Sequence, residues 1–345
     1  MKTVVLEQPG RLRLTETQPP DRPGPGEALV RVHRVGICGT DLHAFQGHQP
    51  FFSYPRILGH ELGVEVLAIG PTDQEVPLAV GDRCSVEPYL NCGQCSACRR
   101  GKPNCCLHLK VLGVSTDGGM REVISVPIAK LHRSAVLAFD QLALVEMLCI
   151  GAHAVRRAGL EPGEEVLVIG AGPIGLSVIR FAQLAGAHVI AMEVSERRRE
   201  FCRRHLGVER WVDGNRDPLP QLQALLDGDL PTAVFDATGN AASMMRAFSS
   251  VAHGGRLVFV GLFQGDVTFH DPDFHRRELT LLGSRNATGA DFAQAIALLE
   301  AGQIDLAPWI THRVAPEEIA AAFPGWLDPE RGTVKAMLEF SPMAA

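Results

Sequence analysis

A chain of 345 residues exceeds the usual size of one domain, and its 46% hydrophobic and 21% charged content suits a globular protein with two separate cores. The net charge of −6 speaks against a general affinity for nucleic-acid backbones or anionic membranes, and no apolar run is long enough to span a bilayer. Glu7 and Pro9 interrupt the start where a secretory segment would continue, and most of the nine cysteines suit metal-ligand positions, so a cytoplasmic protein is expected.

The first half of the chain carries short β-prone runs broken by glycine and proline. Residues 27–35 (E-A-L-V-R-V-H-R-V), 63–69 (G-V-E-V-L-A-I) and 121–126 (R-E-V-I-S-V) read as strands, preceded by a Pro/Gly-rich loop at 19–26. Cys38 sits in G-I-C-G-T-D-L-H, and Gly59-His60-Glu61 follows the loop 47–56 (G-H-Q-P-F-F-S-Y-P-R). A thiolate, an imidazole and a carboxylate on separate loops can make an open zinc site, but spacing alone equally suits a buried cysteine and a core histidine. Phe51, Phe52 and Tyr54 read either as a pocket wall or as loop packing beside prolines.

Cys92, Cys95, Cys98 and Cys106 give a stronger signal. Two-residue spacings turn neighbouring sulfurs onto one centre, and a more distant fourth closes a tetrahedral zinc cage. Disulfides between such close neighbours would be strained. A closed cage leaves no position for a substrate, so it predicts structure and not chemistry.

From about residue 142 the pattern changes to alternating helices and strands. A helix to about 158 leads to strand 166–169, then helix 177–185, strand 189–193, helix 196–205, strand 233–237, helix 241–252 and strands 256–260 and 279–282. This alternation predicts a parallel, doubly wound sheet. After a helix at 291–301, the segments 310–314 and 333–340 look β-like again and are expected to return to the first domain. Gly170, Gly172 and Gly175 form G-A-G-P-I-G, with Pro173 and Ile174 inside it, directly after an apolar strand and before a helix. That context supplies the tight turn, the close backbone approach and the helix N-terminus that a pyrophosphate needs. Glu193 ends the next strand, where a carboxylate can hold ribose hydroxyls and repel a 2′-phosphate, which favours NAD over NADP. The nearby Arg197, Arg198 and Arg199 pull the other way, since an arginine can also receive that phosphate; the first and last best suit a solvated helix face, which leaves Arg198 as the cofactor candidate.

Taken together, G-I-C-G-T-D-L-H, G-H-E, the four-cysteine lobe, G-A-G-P-I-G and D-A-T-G-N (236–240) resemble the zinc-dependent medium-chain dehydrogenase/reductase family, over nearly the whole chain. Residues 141–154 resemble its sorbitol and threonine dehydrogenase branch, with Met147 in place of the usual proline. The resemblance implies an α/β fold. A GroES-like β-rich catalytic domain would span 1–148 and 290–345, and a Rossmann NAD-binding domain 149–289. It also implies a catalytic zinc on Cys38 and His60, with Glu61 and Glu146 as direct or water-mediated ligands, and a structural zinc in the cysteine cage. Asp41 is then a partner of the zinc-bound histidine, Thr40 and His43 pass the substrate proton outward, and Cys149 is a packing residue. Thr238 and Gly261 join the glycine loop, Glu193 and Arg198 as the expected cofactor set. A homotetramer or dimer is implied in the same way.

The stretches Q-P-F-F-S-Y-P-R, D-P-D-F-H and G-S-R-N-A-T (283–288) are similar to bacterial sugar-acid dehydrogenases that oxidise the C5 hydroxyl of L-galactonate. An aldonate is therefore the expected substrate, with Arg56 or Arg285 at its carboxylate, since a guanidinium grips a carboxylate bidentately. Polyol or L-threonine oxidation is the alternative within the family. A zinc-ribbon module for nucleic acid lacks the basic footprint it would need.

Overall fold

The computed structural model describes residues 1–49, 52–73 and 77–340; Phe51 lies outside the described residues. Contacts divide the chain into two compact units, Met1–Met147 with Thr288–Ala345, and Leu148–Ala287.

The first unit is built on a seven-stranded sheet. Its order runs Ile310–Val314, Lys335–Glu339, Glu27–Ile37, Glu61–Ile69, Arg83–Val86, Leu131–Arg133, and Val123–Pro127 pairs with Glu27–Ile37 off that path. Along Glu27–Ile37 burial alternates at Ala28, Val30 and Val32, as a half-buried strand requires, and then becomes continuous at Val35, Gly36 and Ile37. The first four residues of Glu61–Ile69 are buried without a break. The register couples these two ends, with Gly36 opposite Glu61 and, on the other side of the same strand, Ile37 opposite Ala336. Three strands thus bring Cys38, Glu61 and Lys335 to one buried corner. The last of them, Lys335–Glu339, is the predicted return of the chain tail.

The second unit is a six-stranded parallel sheet ordered Arg210–Asp213, His188–Glu193, Glu165–Ile169, Ala233–Asp236, Arg256–Phe259, Thr280–Gly283. In chain order this is 3-2-1-4-5-6, the doubly wound arrangement whose strand order reverses beside the first strand. The four inner strands, rich in Val, Leu, Ile and Phe and buried on both faces, explain the apolar runs of the sequence. The edge strand Arg210–Asp213 has no such run and escaped the sequence reading. So did the eight-residue helix Gly39–Gln46, whose composition carries almost no apolar periodicity.

In the first unit Glu87, 4% exposed, lies between the Lys130 ammonium and His132, whose Nε2 is 3.1 Å away; that ring stacks on Phe292 with centroids 4.7 Å apart. Burial pushes the Glu87 carboxyl up, but the bonds from His132 and Lys130 more than reverse this and hold it below its ordinary value. A depressed folded value means stability that is present above the unfolded pKa and lost as pH falls through the folded one. Glu87→Gln should therefore cost about 3 kcal/mol near neutrality by equilibrium urea unfolding, because Lys130 loses its counter-charge. The gap to the wild type should close as the pH is lowered below the ordinary carboxyl range.

Candidate functional site

Cys38 leaves the strand Glu27–Ile37 and caps the helix Gly39–Gln46. Its Sγ accepts from the Thr40 N–H at 3.5 Å, while the Asp41 carboxylate reaches back to the Cys38 N–H at 2.9 Å. This reciprocal capping fixes the thiol at the helix start. One donor atom each from Cys38, His60 and Glu61 lies within 4.8 Å of the others. His60 is 6% exposed and Asp41 fully buried, yet His60 Nδ1 and Asp41 Oδ1 stand 3.8 Å apart and have no hydrogen-bond partner. Buried polar atoms are rarely left so. A cation drawing the imidazole in through its other nitrogen would account for both, and a soft thiolate with an imidazole and a carboxylate is a donor set that zinc accepts.

The charges around this corner perturb one another. Burial pushes the His60 ring down, but Asp41 and Cys38 reverse that and hold it well above its usual value. Burial raises the Asp41 carboxyl. It also raises that of Glu146, which is 4% exposed, stands outside the trio and accepts a hydrogen bond from the Tyr89 hydroxyl. Glu61 is fully buried, and Lys335 Nζ lies 2.7 and 2.8 Å from its two oxygens. For Lys335 the burial that would lower its pKa is overcome by the charges of Glu61 and Cys38, so it stays protonated. Gly36 explains how the carboxylate fits: a Cβ there would sit 2.1 Å from Glu61 Oε2.

The four cysteines converge elsewhere in the same unit. Sulfur separations are 3.5 Å for Cys95–Cys98 and Cys92–Cys106 and 3.9 Å for Cys95–Cys106. A tetrahedron with arms of about 2.3 Å has edges of about 3.8 Å, so these distances fit one zinc ion and are far too long for disulfides. Backbone N–H bonds from Cys98 and Leu107 pull the Cys95 thiol down to about 6, and burial pushes Cys98 up to about 11. Neighbouring thiols compete for negative charge, and a divalent cation removes the competition.

In the second unit Gly170 turns at φ +92°, and a Cβ on Gly175 would meet the Gly170 carbonyl oxygen at 1.8 Å. Protein packing thus demands two of the three glycines. Gly172 is different: the nearest atom to a Cβ there is Arg198 Nη1 at 3.9 Å, so the open space above it is the approach a pyrophosphate requires. Gly172 caps the helix Pro173–Leu184 without a side-chain bond, which leaves first-turn N–H groups for an anion, and Ile174 follows Pro173 in that turn. Glu193, 5% exposed, accepts from Ala171 N–H at 2.8 Å, Val194 N–H at 2.8 Å and Ser195 N–H at 3.0 Å; Arg198 Nη1 stands 3.9 Å from it. A carboxylate has about four lone-pair sites, so one remains for a ribose hydroxyl. Thr238 donates to the buried Asp236 at 2.6 Å, and Gly261 passes so close to Gly239 that a Cβ would lie 2.3 Å from its nitrogen.

Residues 24–135 match the alcohol dehydrogenase GroES-like domain, and residues 173–301 match the zinc-binding dehydrogenase domain. The chain is 42% identical to the L-galactonate-5-dehydrogenase of Escherichia coli K12 across 99% of both chains. It belongs to the zinc-dependent medium-chain dehydrogenases. This dehydrogenase is thus an oxidoreductase of CH–OH donors with a GroES-like and a Rossmann domain. It is also 33% identical to the 2-dehydro-3-deoxy-L-galactonate 5-dehydrogenase of Pseudoalteromonas atlantica T6c, over 92% of each chain. Among solved structures, the RspB alcohol dehydrogenase of Escherichia coli CFT073, complexed with NADH, superposes with a TM-score of 0.91 at 30% identity over 99% of both chains.

Of the residues the sequence singles out in this dehydrogenase, Cys38, His60 and Glu61 share one corner and the four cysteines another. Arg56 is committed elsewhere, 3.2 Å from Asp117 and 2.8 Å from Ser53 Oγ. Phe52 and Tyr54 meet each other edge to face and pack, partly buried, on the first unit's core, which is the loop-packing reading. Cys149 and Met147 are fully buried. Lys335, Tyr89 and Gly36 were missed; a lone lysine inside the apolar run V-K-A-M-L is the signal that marks a buried partner for Lys335. Zinc at both clusters predicts distinct losses, read by elemental analysis and thermal unfolding. Cys38→Ser should lose one metal and all activity with the fold kept. Cys98→Ser should lose the other and unfold by several degrees earlier, roughly 2–3 kcal/mol.

Proposed function

We propose that this dehydrogenase oxidises a secondary hydroxyl of a sugar acid, an aldonate becoming a keto-aldonate, with NAD as the hydride acceptor. The convergence of Cys38, His60 and Glu61 within 4.8 Å carries the chemistry. The substrate class is supported by full-length identity to two relatives whose names specify galactonate-type acids oxidised at position 5. NAD is supported by Glu193, whose carboxylate at the end of the second Rossmann strand disfavours a 2′-phosphate, and by the NADH held in RspB.

Cys38 and His60 hold the catalytic zinc, with Glu61 and Glu146 beside it, and Cys92, Cys95, Cys98 and Cys106 hold a structural one. Zinc supplies Lewis acidity that lowers the substrate hydroxyl's pKa, and the nicotinamide supplies the hydride acceptor. Asp41 orients the His60 ring from behind. Thr40 and His43, three residues apart and on one face of the helix Gly39–Gln46, move the hydroxyl proton, Thr40 taking it and His43 releasing it to solvent. Gly170, Gly172 and Gly175 with Pro173 and Ile174 cradle the pyrophosphate, while Glu193, Arg198, Thr238 and Gly261 line the rest of the cofactor. Arg285, exposed just beyond the strand Thr280–Gly283, receives the substrate carboxylate; Arg56 is held by Asp117 and serves the loop instead.

Shielding of its ring and the charge of His48 push His43 below 6.5. It is therefore neutral, and able to accept a proton, above that lowered value. For alcohol oxidation kcat/KM should rise through a pKa below 6.5, and His43→Gln should flatten that limb and lower kcat by about 10²-fold. A profile superimposable on the wild type rejects the role. NADH absorbance over a panel of hexonates, neutral polyols and L-threonine tests the substrate. Turnover confined to polyols or threonine overturns the proposal. With a hexonate, Arg285→Gln should raise KM roughly tenfold or more while kcat changes little.

A further inference from the structure

The helix Gly39–Gln46 carries Thr40 and His43, and the way it ends places a second imidazole beside the first. Gly47 turns into the left-handed conformation at φ +81°, and its N–H bonds the Ala44 carbonyl at 3.0 Å. The next N–H, that of His48, reaches back to the His43 carbonyl at 2.8 Å. These are the two bonds by which a glycine-terminated helix satisfies its last carbonyls. They fold the residue after the glycine back over the one five positions earlier, and such a pair of side chains commonly makes an apolar contact. Here both members are histidines, and the outer one, His48, is exposed.

The other groups at this helix end are neutral. The Pro9 ring lies against Gly47, where a Cβ would meet it at 3.3 Å, and the Gly10 N–H bonds the Phe45 carbonyl at 2.7 Å. Phe323 packs on Phe45 with ring centroids 5.1 Å apart. The Tyr54 hydroxyl donates to the Ala44 carbonyl, and burial holds it above its ordinary value, so it keeps its proton. Among the described residues, the charge that acts on His43 is therefore that of His48; it adds to the shielding that already pushes the inner ring down. Two imidazoles this closely coupled titrate as a pair, and a proton on one disfavours a proton on the other.

We propose that His48 is a positioning residue that forms the outer half of a two-imidazole proton outlet, acting through His43. His43 accepts the proton that Thr40 takes from the substrate hydroxyl. An N–H bond on His43 then breaks as one forms on His48, and His48 gives the proton to a solvent base. One proton enters the pair and one leaves it, and no electrons move beyond the hydride that goes to the nicotinamide. The inference rests on the reading of His43 as the proton-releasing residue. It goes beyond that reading by saying where the proton goes next and why the inner ring does not keep it.

The test uses the zinc-loaded enzyme with NAD and the best alcohol of the substrate panel. The pH profile of kcat/KM is read alongside the rate of proton appearance, followed with an indicator dye in weakly buffered solution. His48→Gln should move the rising limb to higher pH, because His43 loses the charge that lowers it, and should slow proton release by about tenfold. Added imidazole should restore the release rate and leave the limb where the variant put it. His48→Lys keeps the charge but does not titrate near neutrality, so its limb should stay low while its proton release is slow and rescued by imidazole. His48→Phe supplies the apolar contact common at such helix ends; it should melt no earlier than the wild type and still release protons slowly. Adding His48→Gln to His43→Gln should change nothing further, because His48 acts through that ring. Wild-type limb and release rate in His48→Gln overturn the proposal, as does a loss that imidazole does not rescue or an equal loss in the His43→Gln background. A wild-type profile in His43→Gln alone refutes the reading of His43 itself, a result distinct from these.

Discussion

Burying negative charge is the constraint on which this molecule is organised. Cys38, Asp41, Glu61 and Glu146 crowd one corner of a β-sheet, and three of the four are almost or wholly sealed from water. Desolvated anions neutralise themselves unless cations or directed N–H groups stand beside them. Each neighbouring feature answers that requirement. A helix starts at Cys38 and turns N–H groups towards its sulfur and towards Asp41. Tyr89 donates to Glu146. A lysine is sunk into the sheet beside Glu61, and a divalent ion fits the remaining donors. The sheet register makes this possible, because it sets Gly36 against Glu61 and so clears the space the carboxylate occupies.

The second unit meets a related problem mostly with backbone. Glu193 is nearly as buried as Glu146 but has three peptide N–H groups around it. One of them belongs to Ala171, inside the glycine loop, so the carboxylate that can read a ribose also braces the loop that holds the phosphates. Asp236 does the equivalent two strands away, tying down Thr238 and Ser243 through its two oxygens.

What the sequence disclosed follows from how local each feature is. The cysteine cage and the glycine loop are contained within short stretches, and their spacing alone specifies their geometry. The pairing of Cys38 with His60 needs the family resemblance, because a helix and a loop separate them and neither spacing nor composition speaks for it. Lys335 was out of reach for the same reason in stronger form: its partners lie 274 and 298 residues earlier. Arg56 and the aromatic rings of the 52–56 loop, which the sequence leaves open between two readings, show the opposite case. Residue types suited to binding a substrate are equally suited to closing a loop, and Asp117, sixty-one positions on, decides the matter for Arg56. The short helix Gly39–Gln46 escaped because capping, and not an apolar stripe, is what starts it.

The strand Lys335–Glu339 lies between Ile310–Val314 and Glu27–Ile37, inside a sheet whose other members, apart from Ile310–Val314, belong to the first 133 residues. During synthesis the ribosome must therefore complete the whole nucleotide-binding sheet before this strand can dock. Until then residues 34–37 present an open edge on that side, and Glu61 has no ammonium beside it. The corner that gathers Cys38, His60 and Glu61 is the last part of its own domain to close. A nascent chain at that stage exposes unpaired strand edge and an uncompensated carboxylate, the conditions under which chaperone capture and premature metal binding compete with folding.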